Sequence, residues 1–231
     1  MAQDLRSVQP SGAAAAAAAA LPSNTSDIVV TATRRSERLS AVPIAVTAFG
    51  TAALRNSGAT DIRQMTQLAP SLLVSSTGSE ANATARVRGI GTVGDNPGLE
   101  SSVAVFIDGI YRSRTGSGLN DLGEVERIEV LRGPQGTLSG RNSSAGAISI
   151  YTKVPEFKFG GYGEASYGNY HAVRLAGALT GPVVKDLIAF RVDSVFGKRD
   201  GFYHDVINKT DYNDRNRFFI RTQLLFTPSQ D

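Results

Sequence analysis

From Gly160 to Phe226 the chain alternates, residue by residue, between two kinds of side chain. Val173, Leu175, Gly177 and Leu179 stand against Arg174, Ala176, Ala178 and Thr180. Ile188, Phe190, Val192 and Phe196 oppose Arg191 and Asp193. Phe218, Ile220, Thr222, Leu224 and Phe226 oppose Phe219, Arg221, Gln223 and Leu225. Residues 160–167 set Tyr162, Glu164 and Ser166 against Gly163, Ala165 and Tyr167. A period of two belongs to β-strands whose faces meet different surroundings. This stretch therefore reads as four long antiparallel strands, joined by a tight turn at 168–171, a short link at 181–186 and a long polar link at 198–214. The periodicity fits a soluble sandwich, whose strands also alternate. It fits equally the wall of an outer-membrane barrel, with tilted strands of about 10 residues and aromatic girdles at both rims. Tyr167, Tyr170, Phe196, Phe202, Tyr203 and Phe226 do gather near the strand ends.

Composition narrows the function classes. No run reaches the roughly 18 apolar residues of a membrane-spanning helix, which excludes spanning helices and leaves barrels open. A net charge of +3 is too small to argue for nucleic acid. With no cysteine and only His171 and His204, neither a disulfide framework nor a metal site is expected. No catalytic triad or carboxylate pair stands at a workable spacing, so no enzyme and no cofactor are expected. Gly89-x-Gly91-x-x-Gly94 matches a dinucleotide fingerprint on paper, yet Asp95-Asn96-Pro97-Gly98 follows at once where a helix should begin. These glycines read as tight turns.

Ahead of the strands, residues 1–26 form a tail whose run of eight alanines, 13–20, lies between Pro10, Gly12 and Pro22 and reads as a low-complexity spacer. Met1-Ala2-Gln3 reads as the end of a small-residue cleavage site whose upstream part is missing. From Asp27 onward the pattern predicts a compact α+β domain. A strand at 44–47 leads to a helix ending at Gly58; a second short helix stops at Pro70; strands follow at 72–74, 84–88, 103–108, 126–131 and 147–153. Asp108 reads as a turn carboxylate.

The run VERIEVLRGPQGTLSGRNSSAGAISIYTK, residues 125–153, resembles the signature of the plug domain of TonB-dependent outer-membrane receptors. ARVRGIG at 85–91 and SVAVFIDGIYRSRTG at 102–116 occupy the expected places before it, and DIVVTATRR at 27–35 resembles the TonB box. Ser139 departs from the family, which commonly carries an aromatic residue there. The resemblance implies a tail at 1–26, a TonB box at 27–35, a plug at 36–157 and the first four barrel strands at 158–231. The implied fold is an α+β plug followed by antiparallel transmembrane strands of an incomplete barrel of about 22 strands. Closing it takes roughly 400 further residues, which makes the chain a fragment or the product of a broken gene.

The resemblance also implies a function: uptake of a scarce ligand, a ferric siderophore or similar iron complex, through the bacterial outer membrane. TonB and the proton-motive force would supply the energy. The alternative is a plug-like binding or signalling remnant that does not transport; the tail before Asp27 is too short for a folded signalling domain. The implied partners are the TonB C-terminal domain, the ligand and outer-membrane lipid, with no nucleic acid. Asp27, Ile28, Val29, Val30, Thr31 and Ala32 would bind TonB as an added strand. Arg88 and Arg132, each before a glycine, would pair with barrel glutamates and lock the plug. Ser76, Gly78, Asn82, Arg112 and Arg114 would lie on plug loops facing the ligand, the two arginines suiting an anionic chelate.

Overall fold

The computed structural model describes residues 28–58, 62–76, 83–92, 99–113 and 123–228. The expected spacer at 1–26 and the candidate residues Asp27, Gly78, Asn82 and Arg114 lie outside the described residues.

The first part of the chain builds a sheet covered on both faces. Its elements are β1 (Val29–Val30), β2 (Glu37–Arg38), β3 (Val46–Gly50), α1 (Thr51–Asn56), β4 (Leu72–Ser76), β5 (Ala83–Val87), β6 (Val103–Ile107), β7 (Ile110–Arg112), β8 (Val125–Arg132), α2 (Gly136–Ser139) and β9 (Gly146–Thr152). Five of them pair in the order β3-β8-β9-β6-β7, with β6 and β9 parallel and the other pairings antiparallel. Alternation sorts the side chains. Val103, Val105, Ile128, Val130, Ile148 and Ile150 point to one face and pack against Met65, Leu72, Val74, Ala85 and Val87. The other face presents the small side chains Ala48, Ala104 and Ala147 with Leu131, and against it lie Val30 and Ala32 of the N-terminal segment.

α1 ends where its sequence suggests, with Gly58 at φ 65, a left-handed conformation that costs glycine little. The helix expected before Pro70 is a 3₁₀ helix, Ile62–Gln67. Three residues per turn stack Ile62 and Met65, with Leu68 just beyond, on one side against the core. Gly89 turns at φ 76, and a Cβ on Gly91 would sit 2.6 Å from Arg86 Cγ. These two glycines are structural, as their sequence context suggests, and Gly94 lies outside the described residues.

The second part is a four-stranded antiparallel sheet in chain order: β10 (Gly160–Gly168), β11 (Ala172–Val184), β12 (Ile188–Arg199) and β15 (Arg215–Phe226). Twelve residues in β12 and in β15 span about 40 Å at the rise of an antiparallel strand, enough to cross a hydrocarbon core when tilted. The link before β15 is not plain loop: it folds into a hairpin of β13 (Tyr203–Asp205) and β14 (Thr210–Tyr212).

The faces of this sheet are inside out. Leu175, Leu179, Phe218, Ile220, Leu224 and Phe226 are exposed, while Thr180, Arg191 and Asp193 are buried on the side facing the first domain. A soluble sandwich places its leucines and phenylalanines in the core and its charges in water. The reverse distribution suits a wall with hydrocarbon outside and a polar interior.

Candidate functional site

The two parts meet at a cluster of charges around Glu124. Gly123, at φ +68, brings the chain so close to the wall that a Cβ there would lie 2.9 Å from Asp193 Cβ. The next residue then makes the junction. The Glu124 amide donates to Asp193 Oδ1 at 3.2 Å, and its carboxylate accepts from Arg191 of β12. Lys153 Nζ at 2.8 Å and Arg55 Nη2 at 2.6 Å reach the other carboxylate oxygen from the first domain. On the wall, Arg191 also pairs with Asp193 at 3.2 Å, and Arg221 of β15 lies 3.4 Å from Asp193 and from the Glu124 carbonyl. Glu124, Arg191 and Asp193 are nearly fully buried.

Buried charges persist only when paired and hydrogen-bonded, and here each buried carboxylate meets at least two cations. Burial by itself raises the pKa of Glu124; the hydrogen bonds and charges of Lys153 and Arg191 outweigh it and hold the carboxyl below its ordinary value. Arg191-x-Asp193 could be found in sequence as a charged pair on one face of an otherwise apolar strand. Glu124, in a loop, carried no such signal.

A second polar site holds the N-terminal segment. β1 pairs with β2 through Val29↔Arg38 and Val30↔Glu37, and Val30 is fully buried. Beyond it the Thr31 amide donates to Glu129 Oε1 at 2.9 Å, and its hydroxyl lies within hydrogen-bond reach of the Tyr151 hydroxyl. Arg127 binds the set together. Its Nε donates to Glu129 at 2.9 Å, its Nη2 donates to the Thr31 hydroxyl at 3.3 Å, and its guanidinium lies 3.8 Å from the Tyr151 ring centre. Burial works against the charge on Arg127, but Glu129 and Glu126 more than compensate and strengthen its hold on the proton. The segment read as a strand donor is thus seated on the first domain in this structure. Burying Val30 contributes about 1.5–3 kcal/mol, and a hydrogen bond to a charged group about as much, so leaving this seat costs a few kcal/mol.

The remaining candidate residues are placed as follows. Arg88 is exposed at φ 54, and Arg132 is half-buried at the end of β8. Among the described residues neither forms an ion pair. Their corners do converge: Arg132 faces Gly146 across β9, and Val87 packs at the same glycine. Arg132 stands at the opposite end of β8 from the Glu124 junction. Ser76 pairs with Ala83 at the end of β4, and Arg112 is exposed at the end of β7 in the other sheet. Asp108 accepts both the amide and the hydroxyl of Thr152 at 2.8 Å, which gives it a turn-fixing role. Among the described residues no group of three or more potential ligands is placed to hold a metal ion.

Residues 38–147 match the family model described as the TonB-dependent receptor plug domain. The pesticin receptor of Yersinia pestis is 30% identical over 192 residues, covering 82% of this chain and 27% of the receptor. The chain thus spans about a quarter of the length of that relative. Among solved structures, the ferric yersiniabactin uptake receptor from Yersinia pestis aligns with a TM-score of 0.75 at 25% identity, over 82% of this chain and 30% of that one. A Pseudomonas aeruginosa receptor bound to heterologous pyoverdines aligns with a TM-score of 0.71 at 22% identity, over 87% of this chain and 25% of its own.

Proposed function

This chain belongs to the TonB-dependent receptors of the bacterial outer membrane, and on that premise we propose that it serves the energised uptake of a ferric siderophore or similar iron complex into the periplasm. The observation that carries the reading is the inside-out sheet whose polar face is fastened to the plug through Glu124 and Arg191. In this reading β10, β11, β12 and β15 belong to a barrel of about 22 strands closed around the plug. Relatives named for ferric chelates support the ligand class.

The chain's own residues then have distinct tasks. Residues 27–32 are the strand offered to the TonB C-terminal domain, gripped mainly by backbone hydrogen bonds. In the resting receptor Glu129, Arg127 and Tyr151 keep this strand seated, and ligand capture shifts the balance toward release. Tension on the released segment is transmitted to the plug, and the Glu124 junction is a fastening that must yield for a path to open along the wall. Arg88 and Arg132 form a second fastening with glutamates on strands outside the present sequence. The loops carrying Ser76, Gly78, Asn82, Arg112 and Arg114 meet the ligand from the plug side.

Uptake of radioactive iron, presented as the producing organism's own siderophore complex, tests the proposal in cells whose only such receptor is the full-length protein. Uptake should vanish when TonB is deleted. Uptake that persists without TonB, or none in its presence, overturns the reading.

A further inference from the structure

β7 is three residues long and forms one edge of the five-stranded sheet, with β6 as its neighbour. The turn into it, Asp108-Gly109, has φ of 50 and 78, the left-handed pair of a two-residue hairpin. Three register pairs join the strands: Val105↔Arg112, Phe106↔Tyr111 and Ile107↔Ile110. So short an edge strand frays unless something beyond its ladder holds it. Ile110 and Arg112 are exposed and add no hold of their own. Tyr111 is half-buried, its ring tilted against Phe106 at 5.7 Å between centres and packed on the small-residue face of the sheet.

The further hold comes from 31 residues along the chain, where Asn142 Nδ2 donates to the Tyr111 hydroxyl at 2.8 Å. Among the described residues this is the one side-chain hydrogen bond that β7 makes. Asn142 lies between α2 and β9 at φ 64, left-handed backbone that asparagine tolerates better than most side chains. The turn around it is fixed on both sides. Ser143 Oγ donates to the Gly140 carbonyl at 2.6 Å, the Gln135 amide to the Ser143 carbonyl at 2.9 Å, and the Ala145 amide to the Ser102 carbonyl at 2.9 Å. Such a turn accepts glycine as readily as asparagine; the bond to Tyr111 needs the side-chain amide.

We propose that Asn142 is a positioning residue for ligand capture: through Tyr111 it holds β7, and Arg112 with it, in a single place on the plug surface. The inference rests on the transport reading above, in which Arg112 meets the ligand, and adds a residue that sets where Arg112 stands. A ligand that needs β7 in place binds only the molecules in which it is held, so its apparent affinity falls with that fraction.

Two variants remove the same bond from opposite ends: Tyr111→Phe keeps the ring, and Asn142→Gly keeps the left-handed turn. In the full-length receptor in detergent, without ligand, exchange of the β7 amides should quicken about three- to tenfold in either variant, the size of one hydrogen bond, while β8 and β9 keep their protection. In cells, uptake of radioactive iron presented as the producing organism's own siderophore complex should show KM raised by about three- to tenfold, with the maximal rate per receptor unchanged. The double variant should go no further than either single one. Glu100→Gln frees Arg141 of the same turn, 3.6 Å away, and should leave KM at the wild-type value. A merely structural role would lower the maximal rate through loss of folded receptor and leave KM alone. Unchanged β7 exchange, unchanged KM, or losses that add in the double variant overturn the inference. Wild-type uptake that proceeds without TonB, or none at all, sinks the transport reading and the capture role with it, and the hold on β7 then stands or falls by exchange.

Discussion

Replacing Glu124 by glutamine keeps the shape of the plug–wall junction and removes its central charge. The cost follows from what is left behind. Breaking a buried ion pair by removing one partner costs about 3–5 kcal/mol. Two features reduce that figure. Arg191 retains Asp193 at 3.2 Å, so it is not stranded. Arg55 and Lys153 are 58% and 32% exposed, so their contacts with Glu124 are worth about 1 kcal/mol or less each. The expected loss is about 2–3 kcal/mol, a roughly 30- to 140-fold rise in the population of the loosened plug at 1.4 kcal/mol per factor of ten. Hydrogen exchange of the β8 and β9 amides in the full-length receptor reads that population. Protection there should drop by this factor while the amides of β11 and β12 keep theirs. Unchanged exchange in β8 and β9 would refute the junction's role as a fastening.

Acid should act at the same place. The folded-state pKa of Glu124 is depressed, so its stabilisation is complete above its ordinary value of 4.5 and is lost as pH falls through the lower folded value. β9 exchange should therefore quicken in acid in the wild type, and less so in Glu124→Gln. Gly123→Ala forces a side chain onto left-handed backbone and against Asp193, and should destabilise the plug by at least about 1–2 kcal/mol in urea; a smaller effect would mean that the loop can withdraw. Tyr151→Phe removes one hydroxyl from the seat of Thr31 and should expose the N-terminal segment several-fold more often, about 1 kcal/mol, as read by thiol labelling of a cysteine placed at Ala32, which is buried while the segment is seated. Ile220→Arg, on the outer face midway along β15, should destabilise the receptor by about 2–4 kcal/mol in bilayers, where a water-exposed sheet would show almost none.

Much of this architecture is legible in the chain because periodicity reports environment. The alternation over 160–226 marks the long strands, and most plug strands fall within a residue or two of their predicted ends, as with 103–108 for Val103–Ile107, while the strand expected at 44–47 spans Val46–Gly50. Periodicity cannot say which face is wet. Leu224 outside and Arg191 inside become informative only once the plug is seen against the polar side. The short helix expected before Pro70 is present, wound as 3₁₀ because Ile62 and Met65 suit a turn of three residues as well as a longer one. The β13–β14 hairpin was missed because three-residue strands such as Thr210–Tyr212 are too short to show a period. At the sites the limit was distance in sequence. Glu124 meets Arg191 67 residues away, and Thr31 meets Glu129 98 residues away. Neither pairing leaves a local mark. The strand-forming residues around Val30 announce a strand without saying that its first partner is the plug itself.

Energised uptake in this reading requires that segment to leave its seat for TonB. This sequence contains no cysteine, so a single one placed at Val29 reports its neighbours without interference. Disulfide trapping between that position and cysteines along a strand edge of the TonB C-terminal domain, in intact cells with and without the iron complex, measures the transfer directly. Such a transfer should give trapping that rises when the complex is supplied and disappears with Val30→Pro. Trapping that is absent under both conditions, or that survives Val30→Pro, contradicts it.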